Sequence, residues 1–363
     1  MEPTRKLHEL GQSLWLDNIT RGLLASGTLR RYIDDYAVTG LTSNPTIFDQ
    51  AIKNSADYDG AIRRKAGEGK SGEALFFELA IEDLQQAADL FRPTFEASGG
   101  TDGWASLELS PLLASDTAGS TRAAAALHAQ TQRPNIFIKI PGTPEGIPAI
   151  EAAIFAGVPI NVTLLFSREQ YLAAAEAYLR GIERRVAAGL DPRIASVASI
   201  FVSRWDVAVK DKVPAALRNR LGIAIAMRTF KAYTELLASA RWQTLARLGA
   251  HPQRLLWAST GTKDPAASES LYVEALAAPR TINTMPEKTL IAFAERGVVA
   301  NLLPADGGDA EQVLSEFTRA GIDTAALARD LQRDGAAAFT KSWSELLRRI
   351  ADKSAMLAEA SSG

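Results

Sequence analysis

Short segments rich in β-branched and aromatic residues alternate with longer segments of helical periodicity along almost the whole chain. Strands that alternate with helices are typical of βαβ units, which form a parallel sheet. Eight such strands are the number that a (β/α)8 barrel needs. The pattern therefore predicts an α/β protein, a single (β/α)8 TIM barrel with additional helices. The predicted strands are Ser13–Asn18, Ala37–Thr42, Trp104–Leu109, Asn135–Ile140, Pro159–Leu164, Ser196–Val202, Arg254–Ala258 and Arg280–Asn283.

Two long helical segments interrupt this alternation. Residues 44–103 predict two or three helices, the best defined of which runs from Gly72 to Phe91. The tail, at about 323–360, is rich in Ala and carries an apolar stripe that includes Phe339 and Trp343. Neither segment carries a strand. We therefore expect one barrel domain over 1–363, with a helical insertion at 44–103 and a helical C-terminal extension.

Several predicted helices begin with a capping residue that is followed by proline. Proline loses no needed hydrogen bond in the first helical turn, so the pair favours a helix start. Ser167 and Gln170 have the spacing of a capping box. The capping pairs are Asn44-Pro45, Thr143-Pro144 and Asp264-Pro265.

Composition limits the chemistry that the chain can perform. There is no Cys, which excludes disulfides, thiolate metal sites and cysteine nucleophiles. The three histidines, His8, His128 and His251, lack the spacing of a metal site. The 40 Lys and Arg residues nearly balance the 42 Asp and Glu residues, so no basic excess favours nucleic acid. Catalysis is left to lysine, carboxylates, hydroxyl groups or a bound cofactor.

The sequence shows neither a signal peptide nor a membrane-spanning segment. The first thirteen residues carry Glu2, Arg5, Lys6 and Glu9, which is not the composition of a signal peptide. The longest uncharged apolar stretch, Ala152–Ile160, is too short to cross a bilayer. We therefore expect a cytoplasmic protein with no membrane partner.

Lys139 is the sharpest candidate for chemistry. It is the only charge in an apolar strand, and it lies at the carboxyl end, where barrels place their active sites. Because alternate residues share a face, Lys139 lies with Phe137 and Pro141, opposite to the neighbouring isoleucines. A poorly hydrated lysine is more readily a neutral amine, which can form a Schiff base with a carbonyl compound. The alternative is a lysine that snorkels from the strand end or forms a structural ion pair.

Other predicted strands also end in polar side chains. Taken singly, each carboxylate could equally be an ion-pair partner or a helix cap. Together, on one barrel mouth, they predict a site with separate acid and base groups. These residues are Asp17 on the first strand, Glu108 on the third, Asn161 and Thr163 on the fifth, and Ser199, Phe201 and Ser203 on the sixth.

Six separated segments, in collinear order, resemble the transaldolase family. The resemblance runs from about Leu7 to Ser259, and the longer bacterial branch is the most similar. Little beyond residue 300 is diagnostic. The segments are Trp15-Leu16-Asp17, Leu41-Thr42-Ser43-Asn44-Pro45-Thr46, Ser106-Leu107-Glu108, Phe137-Ile138-Lys139-Ile140-Pro141-Gly142-Thr143, Ile160-Asn161-Val162-Thr163-Leu164-Leu165-Phe166-Ser167 and Ser199-Ile200-Phe201-Val202-Ser203-Arg204.

The resemblance implies a transferase of the non-oxidative pentose phosphate pathway that needs no metal and no cofactor. Lys139 would attack the C2 carbonyl of a ketose phosphate and form an imine. Glu108 would move the protons of dehydration through a bound water, and Asp17 would accept the proton of the C4 hydroxyl. The dihydroxyacetone unit would pass from sedoheptulose-7-phosphate or fructose-6-phosphate to glyceraldehyde-3-phosphate or erythrose-4-phosphate.

The resemblance also implies the substrate-binding residues. Asn44 and Asn161 would hydrogen-bond the retained unit, and Thr163 would orient the water. Ser199 and Phe201 would line the substrate site. Shorter members of the family are often dimers through their terminal helices, but this tail differs and could equally pack on its own barrel. The side chains expected at the phosphate are Arg204, Ser259 and, less clearly matched, Lys263.

Two alternatives remain at the level of sequence. A fructose-6-phosphate aldolase would share the fold and the lysine but release free dihydroxyacetone. Such aldolases tend to carry Gln at the position of Glu108 and Tyr at that of Phe201, so both residues favour transfer. A non-catalytic barrel that binds sugar phosphates would be expected to lose Lys139, Glu108 or Asp17, and all three are present.

Overall fold

A computed structural model of the chain describes residues 2–359. Within that range eight strands pair side by side in parallel, and each lies on a predicted strand. The largest displacement is at the last one, which runs beyond the predicted end at Asn283. The strands are β1 (Ser13–Asp17), β2 (Val38–Thr42), β3 (Ala105–Glu108), β4 (Ile136–Pro141), β5 (Ile160–Leu165), β6 (Ser196–Phe201), β7 (Gln253–Ala258) and β8 (Ile282–Met285).

The sheet closes into a barrel where β2 meets β3. The strand order is β2-β1-β8-β7-β6-β5-β4-β3, so these two strands are its edges. Gly40 of β2 pairs with Trp104 in a parallel bridge, and the Leu41 N–H donates to the Trp104 carbonyl at 2.9 Å. The predicted (β/α)8 TIM barrel is therefore confirmed.

Glycine at position 40 is what allows the two edges to approach. A Cβ at this position would lie 2.6 Å from the Trp104 carbonyl oxygen and 2.6 Å from the Trp15 indole. Trp15 and Trp104 both pack on Phe137 inside the barrel, with ring centroids 6.2 Å and 4.0 Å away. The large aromatic residues fill the barrel, so β2 has no room for a side chain at position 40.

Helices surround the barrel. The predicted insertion contains three of them, and the longest starts at Gly72 as predicted but continues through Pro93 to Ala97. Whether residues 44–103 are an insertion into a single domain stays a prediction. The helices are α1 (Pro3–Glu9), α2 (Arg21–Ala25), α3 (Thr28–Tyr36), α4 (Pro45–Asn54), α5 (Asp59–Gly67), α6 (Gly72–Ala97), α7 (Thr117–Thr131), α8 (Gly146–Ala156), α9 (Arg168–Ala187), α10 (Ser203–Val209), α11 (Leu221–Ala238), α12 (Ala240–Arg247), α13 (Leu271–Ala275), α14 (Glu287–Arg296), α15 (Ala310–Arg319) and α16 (Thr324–Glu359).

The predicted helix starts have mixed outcomes, and α8 begins at Gly146, two residues after the predicted pair Thr143-Pro144. Asn44 caps α4, since its side-chain oxygen accepts from the Ile47 N–H at 3.1 Å, and Ser167 forms the predicted capping box of α9. The predicted start at Asp264-Pro265 is wrong. There the Asp264 carboxylate accepts from the Ala266 N–H and the Asn219 amide, which closes a turn, and no helix begins before Leu271.

The C-terminal helix α16 packs against its own chain, which is one of the two arrangements considered for the tail. Its Trp343 packs edge-on against Phe76 of α6, with ring centroids 4.9 Å apart. Arg349 and Lys353 form ion pairs with Asp49 of α4 (2.6 Å) and Asp59 of α5 (2.5 Å). The helix thus clasps the three helices of residues 44–103. The predicted end of the tail, residue 360, lies outside the described residues.

Even this long helix is no membrane span: within residues 2–359 no helix combines the length and the apolar character that crossing a bilayer requires.

We predict that Gly40→Ala lowers the free energy of unfolding by about 2 kcal/mol, because the added methyl group forces β2 away from Trp15 and Trp104. Chemical denaturation measures the change. The matched control is Gly60→Ala at an exposed position of helix α5, where nothing lies within 4 Å of the new Cβ. The control should be as stable as the parent or slightly more so. Equal effects of the two substitutions would contradict this account of barrel closure.

Candidate active site

A cavity of about 130 Å³ opens at the carboxyl ends of the barrel strands. Parallel strands bring these ends to one rim, which is where the sequence predicts the site. Three of the predicted residues, Glu108, Asn161 and Ser203, do not line it, but each contacts a residue that does. The predicted residues that line it are Asp17, Asn44, Lys139, Thr163, Ser199, Phe201, Arg204, Ser259 and Lys263.

Lys139 lies on the inner face of β4, as predicted, and only 5% of it is exposed. Its Nζ donates to the Glu108 Oε2 at 2.9 Å and to the Ser43 carbonyl oxygen at 2.8 Å. Lys139 thus forms an ion pair with a carboxylate, as the purely structural interpretation of this lysine also predicts. Lys139 nevertheless lines the cavity beside further polar groups, so the ion pair does not exclude a role in chemistry.

Strand register explains how Glu108 and Lys139 meet. In the parallel ladder Glu108 of β3 is the direct partner of Lys139 of β4, and Lys139 is the partner of Asn161 of β5. Residues at one level on adjacent parallel strands point to the same side. Three polar side chains therefore stand in a row across the mouth.

Burial is the main influence on Glu108. It raises the pKa of Glu108 above its ordinary value, while the charge and hydrogen bond of Lys139 oppose the shift. A carboxyl group with a raised pKa that is hydrogen-bonded to the Lys139 Nζ is suited to exchange protons beside the amine.

Asp17 ends β1 on the other side of the cavity. The Thr42 hydroxyl donates to its Oδ1 at 2.7 Å, and Thr42 also shares a hydrogen bond with Thr284 of β8 at 2.7 Å. Burial raises the pKa of Asp17, and Lys139 and the Thr42 hydroxyl oppose the shift. A carboxylate with a raised pKa and a fixed orientation is suited to accept a proton from a substrate hydroxyl.

Asn161 and Ser199 form a buried polar pair beside the lysine. The Ser199 hydroxyl donates to the Asn161 Oδ1 at 2.7 Å, and the Asn161 amide donates to the Ser106 hydroxyl at 3.3 Å. The two bonds restrain the Asn161 side chain between Ser106 and Ser199.

Thr163 presents a hydroxyl to the cavity. It is fully buried, and its Oγ1 has no hydrogen-bond partner among the described residues. Because buried hydroxyl groups are rarely left unpaired, this oxygen is suited to hold a water or a substrate hydroxyl.

The cationic side of the cavity is formed by Arg204 and Lys263. Burial lowers the pKa of Arg204, opposed by Glu108 and Asp17, but a guanidinium stays protonated near neutral pH. Ser259 lines the same cavity with its backbone in the left-handed region (φ 54°), and its hydroxyl contacts that of Ser203 at 2.9 Å. Two cations with a hydroxyl group form a pocket suited to a phosphate.

Sequence reasoning missed several contributors to this site. Thr42, Ser43 and Thr284 hold the catalytic side chains, and only the register of β1, β2 and β8 shows this. Thr284 was missed because the eighth strand was predicted to end at Asn283, one residue before it. Phe339 of α16 also lines the cavity, although its spacing indicated only a packing stripe. No local signal in the sequence brings residue 339 to the mouth.

A wider groove of about 560 Å³ lies outside the cavity, between the β1 and β2 ends and helix α4. It shares Asn44, Arg204 and Phe339 with the inner cavity, so these three side chains separate the two spaces. No cluster of three or more His, Asp or Glu side chains that could hold a metal ion occurs in the part of the chain from 2 to 359.

Comparison with known proteins identifies the family of the chain. The chain matches the family model described as Transaldolase/Fructose-6-phosphate aldolase over residues 14–350. The transaldolase of Saccharopolyspora erythraea is 44% identical over 354 residues, which cover 96% of this chain and 96% of that protein. The transaldolase of Thermobifida fusca is 43% identical, with 97% and 98% covered, and that of Thiobacillus denitrificans is 42% identical, with 96% and 100% covered. The resemblance carried by the six motifs is thus confirmed: the chain belongs to the transaldolase and fructose-6-phosphate aldolase family, a family of enzymes.

Proposed function

We propose that the chain is a transaldolase that transfers a dihydroxyacetone unit between sugar phosphates through a Schiff base on Lys139. The donors are sedoheptulose-7-phosphate or fructose-6-phosphate, and the acceptors are glyceraldehyde-3-phosphate or erythrose-4-phosphate. The observation that carries the proposal is the buried Lys139–Glu108 pair (2.9 Å), whose lysine lines the same cavity as Asp17. The relatives compared above all bear the name transaldolase.

Imine formation begins at the Lys139–Glu108 pair. Transfer of the ammonium proton to Glu108 leaves a neutral amine, whose lone pair attacks the C2 carbonyl of the ketose phosphate. The carbinolamine then loses its hydroxyl group as water, and Glu108 supplies the proton through a water held by Thr163. Both groups are at hand, since Glu108 contacts the lysine and the Thr163 hydroxyl is otherwise unpartnered.

Carbon–carbon cleavage then needs a base on the opposite side. Asp17 accepts the proton of the C4 hydroxyl, the C3–C4 bond breaks, and its electrons pass into the iminium to give an enamine. The aldose leaves with a new aldehyde at C4. The Thr42 hydrogen bond supports this role because it holds the Asp17 carboxylate in one orientation.

The retained three-carbon unit is held by amide and hydroxyl groups. Asn161, adjacent to Lys139 in the register, and Asn44 are placed to hydrogen-bond its hydroxyl groups. Attack of the enamine on the acceptor aldehyde forms the new bond, Asp17 returns its proton to the new alkoxide, and water releases the product ketose from Lys139. Arg204, Ser259 and Lys263 bind the phosphate of donor and acceptor in turn.

Two residues support transfer over simple cleavage. Glu108 contacts Lys139 and Phe201 lines the cavity, whereas aldolases of this family are expected to carry Gln and Tyr at those positions. Release of free dihydroxyacetone in the absence of an acceptor would instead favour the aldolase.

We also infer a cytoplasmic enzyme of the pentose phosphate pathway that acts on small molecules. With 40 basic and 42 acidic residues the chain has no positive excess to attract nucleic acid. A single phosphate needs only the local pair Arg204 and Lys263. A homodimer stays a prediction.

Lys139→Ala should reduce turnover by at least about 10³-fold without unfolding the chain, because the covalent intermediate requires the amine. Incubation with fructose-6-phosphate, reduction with borohydride and digestion should place a dihydroxyacetone-derived adduct on the peptide that contains Lys139. Lys341→Met, at an exposed lysine of α16, is the control and should retain the adduct. An unmodified Lys139 at saturating donor would refute the mechanism.

Asp17→Ala should stall the reaction after imine formation, because no base removes the C4 proton. We expect kcat to fall by about 10²- to 10⁴-fold. Mass spectrometry after borohydride reduction should then show the intact donor ketose on Lys139 in place of the three-carbon unit. Normal cleavage by this variant would rule out Asp17 as the base.

The raised pKa of Asp17 predicts the position of the acid limb of activity. The base must be ionised, so kcat/KM should fall with decreasing pH at values above the ordinary aspartate pKa of 3.8. Thr42→Val removes a hydrogen bond that favours the charged form and should move this limb to still higher pH. The control is Thr39→Val, the same change near the start of β2. The Thr39 hydroxyl donates to the Leu14 carbonyl and does not contact Asp17, so its loss should leave the limb in place. Identical profiles for all three proteins would contradict the assignment.

A further inference from the structure

One face of the C-terminal helix α16 lies across the mouth of the barrel. Gln332, Gly335 and Phe339 are buried and spaced three and four residues apart, so they share that face. The other half of the helix packs against α4, α5 and α6. The barrel-facing half contacts the catalytic cavity itself, and no step of the proposed reaction uses it.

Gln332 sets the position of the helix over the mouth. Its Nε2 donates to the Gly142 carbonyl and to the Leu164 carbonyl, both at 2.9 Å. These carbonyls lie at the carboxyl ends of β4 and β5, the strands that carry Lys139 and Thr163. Helix α16 is therefore tied in register to the two strands at the centre of the site.

Gly335 brings the helix backbone against Arg204. A Cβ at this position would lie 3.1 Å from the Arg204 Nη1 and 3.0 Å from the Leu164 Cδ2. A larger residue would displace the guanidinium or the helix. Close approach of the helix to Arg204 is thus built into the packing.

Phe339 and Phe201 hold the guanidinium between two rings. The Arg204 Cζ lies 5.1 Å from the Phe201 centroid and 5.8 Å from the Phe339 centroid, within the range of a cation–π contact. Within residues 2–359 no carboxylate lies within 4.0 Å of Arg204 and no side-chain or backbone acceptor receives a hydrogen bond from it. The rings and the helix hold this cation while its N–H donors stay available for an anion.

We propose that Phe339 is a positioning residue that holds the Arg204 guanidinium for the phosphate of the sugar substrate. The proposal rests on the proposed function, in which Arg204 binds that phosphate. Phe339 also separates the catalytic cavity from the outer groove. Without the ring, Arg204 is free to turn into the groove, and the phosphate must then order it on binding. The helix therefore contributes to selection of phosphorylated substrates and takes no part in the chemistry at Lys139.

The test compares donors with and without a phosphate in the first half-reaction, which needs no acceptor. For each protein, the donor concentration that gives half-maximal borohydride-trapped adduct is measured with fructose-6-phosphate and with fructose. Phe339→Leu should raise the value for fructose-6-phosphate about fivefold and leave that for fructose unchanged. Inorganic phosphate should compete with fructose-6-phosphate correspondingly less well.

Two matched variants separate positioning from general packing. Phe339→Tyr keeps an aromatic ring and should restore the parent preference for the phosphorylated donor. Leu346→Ala, at a fully buried residue of α16 away from Arg204, should lower thermal stability without changing the ratio of the two half-saturating concentrations.

The possible failures differ from one another. Loss of affinity for both donors alike in Phe339→Leu, or no change for either, would overturn the role of Phe339 while the parent still forms its adduct. Absence of an adduct in the parent protein with either donor would instead overturn the proposed function.

Discussion

The charge on Lys139 is the constraint around which the mouth of the barrel is organised. An isolated ammonium at a site that is 5% exposed costs several kcal/mol in lost hydration. Glu108, its direct partner in the ladder, and the Ser43 carbonyl offset that cost. The same burial disfavours charge on the carboxylate and raises the pKa of Glu108. The contact that compensates the buried ammonium is also the one from which the proposed reaction starts.

The remaining polar groups are fixed by neighbours that carry no reaction of their own. Thr42 orients Asp17, Ser199 orients Asn161, and the two phenylalanine rings hold Arg204. Such supporting contacts keep reacting groups at productive distances before the substrate arrives. The C-terminal helix belongs to this supporting layer. It is tied to the strand ends by Gln332 and to the helices of residues 44–103 by its ion pairs.

Much of the architecture is predictable because each barrel element is defined by local pattern. The apolar runs that become β4, β5 and β6 are short and rich in β-branched residues. The capping box of Ser167 and Gln170 is a local hydrogen-bonding unit and is confirmed. The helix start at Asp264 is wrong because its carboxylate bonds Asn219, which lies far away in sequence, and closes a turn instead. Strand β8 is displaced because residues 280–283 carry a weak pattern.

By itself, the sequence determined that Lys139 faces inward at a strand end, because alternation along a strand depends only on parity. It also determined the family, since six motifs in order carry that likeness. The tertiary structure alone decided that Glu108 is the partner of the lysine, that Thr42 and Thr284 support Asp17, and that Phe339 reaches Arg204. These contacts join residues from distant parts of the chain, and their pairing depends on sheet register and on where a long helix docks. Neither is encoded in any one segment.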